Sequence, residues 1–266
     1  MDNFLKSLTD GSLAEKLGGA QVAVNPSNLS VDAIGREGAT EIVVVHTEAS
    51  NDEINIDVKS GAKLSLVEIF ASSSKVKVNV DVAQDAACDI TTFDLAGGDV
   101  DYTVSLNGRG GECVFNSLQL TTKSDNSKID CCIRHIASDC ISRSLSKAIA
   151  SGDSTIVFKG MVYVAQAAQR TISEQNSKNI QLSPTSHITS EPQLEIYADD
   201  VKCSHGATVG QMNSDAILYM RQRGLSEELA QKLQLEGFAE DIVSRCSISG
   251  LIDQLEVLVQ ERLHEI

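Results

Sequence analysis

The residues best suited to chemistry in this 266-residue chain are its 7 cysteines and 5 histidines. Cys131, Cys132, His135 and Cys140 fall close together. A zinc site needs about four ligands converging on one point. Adjacent residues on a strand point to opposite faces, so Cys131 and Cys132 cannot both reach one ion without a bulge. No C-x-x-C occurs, and thiols packed in a β core are the simpler reading there and at Cys88, Cys113 and Cys246. A second pair lies in EPQLEIYADDVKCSHGATVG, from Glu191 to Gly210. Leu194, Ile196 and Ala198 share one face; after an acidic turn at Asp199-Asp200, so do Val201, Cys203, His205 and Ala207. A thiol and an imidazole one two-residue step apart, roughly 6.6–7 Å, suit a soft metal shared with a partner's ligands. Two ligands alone do not make a site, and packed side chains remain the alternative.

Motifs for nucleotide and acyl chemistry are missing. No G-x-x-x-x-G-K-[ST] occurs, so there is no P-loop. Gly108-Arg109-Gly110-Gly111-Glu112-Cys113 fails G-x-G-x-x-G at its last position and reads as a turn between strands. No G-x-S-x-G elbow supports acyl transfer. Lys and Arg total 22 against 37 Asp and Glu, and the resulting charge of −15 repels nucleic acid and anionic lipid. No apolar run approaches the roughly 18 residues of a membrane span, and Met1 to Gly19 lacks the basic start and apolar core of a signal peptide. With an odd number of irregularly spaced cysteines, these features predict free thiols and a cytoplasmic location.

The sequence offers two textures to position these residues. Apolar residues make up 42% but aromatics only 4%, so the core must be built from Val, Ile, Leu and Ala. From about Pro26 to residue 208 the pattern is β. Ile54, Ile56 and Val58 alternate with Asn55 and Asp57, and Val76, Val78, Val80 and Val82 with Lys77, Asn79 and Asp81. Val100, Tyr102, Val104 and Leu106 repeat the pattern. Strand starts near 42, 54, 64, 76, 90, 100 and 113 are evenly spaced, which fits a sandwich, a barrel or a solenoid. A sandwich needs hairpins, and the Asn-Gly hairpin signal appears once, at Asn107-Gly108. Short, monotonous strands with few rings favour a β-helix.

The last 55 residues read as helices. Asp215 to Met220 starts one that stops at Gly224. Ser226 caps a second, with Glu227 and Glu228 in its first turn and Gly237 as its end. Phe238, Ile242 and Val243 sit on a third, and Ile248 to Ile266 makes a fourth. Apolar positions Leu229, Leu233, Ile242 and Leu255 must cover the β body or a partner. Phe4, Leu5, Leu8 and Leu17 indicate short helical turns at the start. The expected division is a helical segment over 1–24, a parallel β-helix over 25–208 and a helical domain over 209–266.

PQLEIYADDVKCSHGATVGQ, followed by DAILYMRQRGL, resembles the SufB/SufD family of iron–sulfur cluster assembly proteins, and within it the SufD-type members, almost residue for residue from Pro192 to Leu225. Weaker resemblance reaches back through Gln175 to Ser183. The resemblance implies an all-β, right-handed parallel β-helix (β-solenoid) followed by a small C-terminal α-helical domain. It also implies a non-catalytic scaffold that pairs with a SufB-like subunit through the β-helix and binds a SufC-like ABC ATPase through its C-terminal helices. ATP hydrolysis then belongs to the partner. His205 of the C-S-H-G motif, with Cys203 close by, is implied to meet a transient iron–sulfur cluster at the subunit interface. This chain alone is expected to bind none tightly.

Two departures bear on that expectation. SufB-type members carry His-Glu where this chain has His205-Gly206, and a cluster cysteine in the region of Gln175 to Asn179, where this chain has none. Family members also carry a substantial helical region ahead of the β-helix, matched here by little more than Asp2 to Gly19. A homodimeric scaffold is therefore a second expectation. A β-helix polysaccharide-active enzyme is disfavoured by the absent signal peptide and the absence of Trp.

Overall fold

The computed structural model describes residues 17, 19–35 and 38–266. Strands alternate between two sheets as the chain coils. Sheet A holds β1 (Gln21–Val24), β3 (Ala39–His46), β5 (Lys63–Phe70), β7 (Ala87–Asp94), β9 (Glu112–Thr121), β11 (Ile141–Ala150), β13 (Thr171–Gln181) and β15 (Val201–Gly210). Sheet B holds β2 (Asn28–Ala33), β4 (Asn51–Val58), β6 (Lys75–Val82), β8 (Asp99–Leu106), β10 (Asn126–His135), β12 (Thr155–Val164) and β14 (His187–Ile196). Each strand from β3 to β13 pairs in parallel with the strand two earlier and the strand two later, which defines a parallel β-helix. Stacked residues lie 24 apart in the early coils, as Asn55 and Asn79 do, and 30 apart later, as Arg109 and Asp139 do. The change accompanies a lengthening of the strands from 8 to 10 residues.

The two sheets differ in what covers them. The central strands of sheet B alternate between a buried and a more exposed face, as β4, β10 and β12 do, because one face meets the interior and the other meets water. Strands β3 and β5 are buried almost throughout. Ile42, Val44, Leu64 and Leu66 face the interior with Ile54, Ile56, Val78 and Val80 of sheet B. Val43, Val45, Val67, Ile69, Phe93, Leu118 and Leu120 face outward under the C-terminal helices. Near-continuous apolar runs in every second strand are the sequence signature of that cover.

Three α-helices follow the last strand: α1 (Ser214–Gln222), α2 (Glu227–Val243) and α3 (Ile252–Leu263), the last entered through a 3-10 turn at Ser249–Leu251. The Asn213 side chain caps α1 by accepting from the N–H groups of Asp215 and Ala216, and Ser226 caps α2 by accepting from Leu229 N–H. Gly237 does not end a helix: α2 runs through it, so the second and third expected helices are one. A glycine inside a helix costs about 1 kcal/mol, whereas burying Ile242 and Val243 against sheet A returns roughly 1.5–3 kcal/mol each.

Lys147 of β11 clasps α2. Its Nζ donates to Phe238 O at 2.9 Å and pairs with Asp241 Oδ2 at 2.7 Å. Arg262 of α3 donates to Leu120 O and pairs with Asp125.

One further expectation changes. Within the segment read as helical over 1–24, residues 21–24 form β1, held in register on Ile42 to Val45; the stretch from Asp2 to Lys16 lies outside the described residues. Asn107-Gly108 makes no hairpin. It turns the chain from sheet B to sheet A, and a Cβ at residue 108 would stand 2.0 Å from Gln84 N of the preceding coil, so only glycine fits.

Candidate functional site

Inside the solenoid the lining changes from aliphatic to polar. From β9 onward the buried set includes Ser117, Gln119, Ser144, Ser146, Gln175, Ser177 and Asn179. Register stacks them in columns: Ser142, Ser173 and Cys203 form one, and Ser144, Gln175 and His205 the next. Hydroxyls bond along and across the coils. Ser117 Oγ donates to Ser146 Oγ and Ser190 Oγ to Ser177 Oγ, both at 2.9 Å. His135 shares a 2.9 Å hydrogen bond with Ser142 Oγ, which bonds Ser173 Oγ at 2.8 Å.

The columns end at β14 and β15, each paired on one edge only. Inward-facing residues on this last coil lack a following coil to cover them. Cys203 is half-buried against Val162, Ala198 and Leu194, while His205 is exposed. The two therefore share the inner face of β15, with Cys203 stacked on Ser173 and His205 on Gln175. Burial pushes the Cys203 thiol above its usual range, so it carries its proton at neutral pH and binding to a metal releases it. Around them the last coil presents Ile196, Tyr197 and Val209, with Tyr197 60% exposed and ring-to-ring with Tyr163 at 5.7 Å.

As a donor set, Cys203 and His205 combine a soft and a borderline ligand, which fits iron and sulfide. They are two, and no group of three or more Cys, His, Asp or Glu arranged for a metal exists among the described residues. Among the described residues, the pair offers part of a coordination sphere.

The earlier cysteine cluster disperses in the structure. Cys131 faces the interior, Cys132 the outside, His135 bonds Ser142, and the Cys140 thiol donates to Gly108 O at 3.3 Å. Cys88, Cys113 and Cys131 are packed in the interior, and Cys246 lies under the helices.

Sequence reasoning did not find the buried network of the early coils. His46 lies 2.7 Å from Glu68 Oε1 and 3.1 Å from Asp52 Oδ2, with Tyr102 OH donating to Glu68 Oε2. Nor did it find the polar columns. Their signal is the run TISEQNSKN in β13, where both strand parities are polar although one faces inward.

The fold is a parallel β-helix of two facing sheets, with one sheet roofed by C-terminal helices and a thiol–imidazole pair on an uncovered last coil. The family model described as "SUF system FeS cluster assembly, SufBD core domain" matches residues 31–238. This chain belongs to the SufBD family of iron–sulfur cluster assembly proteins and is SufD-like. It is 32% identical to the iron–sulfur cluster assembly protein SufD of Escherichia coli over 240 residues, covering 85% of this chain and 57% of that protein. A SufBD family protein of Synechocystis is 40% identical over 118 residues, covering 44% of this chain and 26% of its own length. "Protein ABCI7, chloroplastic" of Arabidopsis thaliana is 34% identical over 114 residues, covering 42% and 24%. The chain thus spans a little over half the length of the E. coli relative and less of the others. No helix among the described residues is long and apolar enough to cross a membrane.

Proposed function

We propose that this chain is a scaffold subunit, not itself an enzyme, on which a nascent iron–sulfur cluster is held transiently between two β-helices in the cytoplasm. The observation that carries this reading is the uncovered last coil. β14 and β15 are long edge strands with free backbone groups, a feature that invites pairing with another sheet, and Cys203 and His205 lie on them. A SufB-like subunit completes the ligand set. A second copy of this chain is the alternative mate, since the same edge is available on every copy. Cys203 and His205 meet iron there once the partner's ligands close the sphere.

The C-terminal helices supply the second contact, to a SufC-like ABC ATPase. Of the four apolar positions expected to dock it, Ile242 and Leu255 are buried on the β body. Leu229 and Leu233 remain 44% and 41% exposed, and with Leu218 and Tyr219 of α1 they leave an apolar face on α1 and α2. Removing all the helices would strip the outer face of sheet A, so point substitutions are the proper test. With Leu229→Asp and Leu233→Asp together, the chain should still co-purify with the SufB-like subunit but lose the ATPase. Retention of the ATPase would contradict the assignment of that face. A monomer in light scattering, both alone and mixed with the SufB-like subunit, would contradict pairing through the last coil.

A further inference from the structure

Gln175 lies one coil below His205, as its register partner on β13. It is 3% exposed, and its Oε1 is buried without a hydrogen-bond partner. Its amide crosses the interior to sheet B, where residue 160 is glycine: a Cβ there would stand 1.5 Å from Gln175 Nε2. Glycine inside a strand weakens the strand and marks a close approach, so the sequence gives up packing at Gly160 to admit this amide. A buried acceptor left unmatched is rare in folded proteins and calls for a donor. The ring N–H of His205 is the donor that the stack provides, because coils lie about 4.8 Å apart and His205 makes no side-chain hydrogen bond among the described residues.

We infer that Gln175 is a positioning residue for His205. Its Oε1 accepts from the ring nitrogen nearer the interior, which fixes the imidazole tautomer and leaves the other nitrogen deprotonated and turned toward the partner face. Histidines that bind metals commonly have the second nitrogen held by a carbonyl or carboxylate in this way, and losing that support costs about 10–100-fold in affinity. The purpose of this arrangement rests on the reading of His205 as an iron ligand; the inferred hydrogen bond rests only on the burial of Gln175 and its unpartnered Oε1.

The test uses the full chain labelled with 15N-histidine, at pH 8. The His205 ring nitrogens should report one dominant, hydrogen-bonded tautomer in the natural chain and in Gln175→Glu, which keeps an acceptor. In Gln175→Leu they should revert to the mixture of a solvated imidazole. Gly160→Ala displaces the amide without touching Gln175 and should give the same reversion, so the test survives if Gln175→Leu fails to fold. Iron recovered with the assembled complex should fall about 10-fold in Gln175→Leu and return in Gln175→Glu. Identical tautomer populations in the natural chain, Gln175→Leu and Gly160→Ala would overturn the inference. A tautomer that shifts as expected supports it even where iron is unchanged in both Gln175→Leu and His205→Ala; that pattern refutes ligation by His205 instead.

Discussion

His135 sits inside the solenoid with one ring nitrogen bonded to Ser142 and Nδ1 unpartnered. Burial lowers its pKa to about 4. The neutral ring is therefore favoured in the fold: its contribution is present above pH 6.5 and lost as the pH falls toward 4. His46 behaves in the opposite sense. Burial disfavours its charge, but the hydrogen bond and charge of Glu68, with Asp52, outweigh that and raise its pKa. Its contribution is full below 6.5 and is lost as the pH rises through the higher folded value. The acid limb of stability should thus report His135. Between pH 7 and pH 5, urea denaturation of His135→Gln should show a loss about 2 kcal/mol smaller than that of the natural chain. An unchanged slope would mean that His135 is not what titrates. Strand parity alone put Cys203 and His205 on one face and separated Cys131 from Cys132. It could not reach Gln175, because polar residues at both parities of β13 erase the alternation that reveals which side is inward.

The helices and sheet A depend on each other. Lys147 is 5% exposed, and burial lowers its pKa although Asp241 draws it back up. Its ammonium is tied to Phe238 O and to Asp241 and lies 4.4 Å from the Phe238 ring centroid. Lys147→Ala should cost about 2 kcal/mol, below the roughly 3–5 kcal/mol for breaking a fully buried pair, since Asp241 is partly exposed and keeps Arg245 as a second partner. Hydrogen exchange should rise in α2 before it rises in β4 and β6, which belong to sheet B rather than to the sheet the helices cover. Equal acceleration everywhere would contradict a separable helical roof. At this scale the sequence was informative where a local rule was not overridden. Ser226 capped the helix it marks, and a spacing of 10–12 residues located the strands. Gly237 misled because helix propensity is a weak preference, and the apolar face of α2 extends past it onto sheet A.

The whole molecule is a solenoid whose sheet A lining grades from mostly aliphatic in the early coils, where the His46–Glu68 network is the polar exception, to hydroxyls and amides in the later ones, and it is open at the end that carries Cys203 and His205. Even strand spacing and scarce hairpin signals made the parallel coil legible. The helical roof was written in the doubly apolar strands but hidden until alternate strands were known to share a sheet. The partners were legible only through family resemblance, since an uncovered edge does not specify its mate. The central claim, that this open end takes part in building a cluster, is tested most directly by iron and sulfide content. The chain would be co-expressed with SufB-like and SufC-like subunits, purified without oxygen, and compared with His205→Ala. The account predicts that His205→Ala assembles normally, retains ATPase turnover and carries roughly a tenth or less of the iron and sulfide. Equal iron and sulfide on an intact, active His205→Ala complex would contradict it.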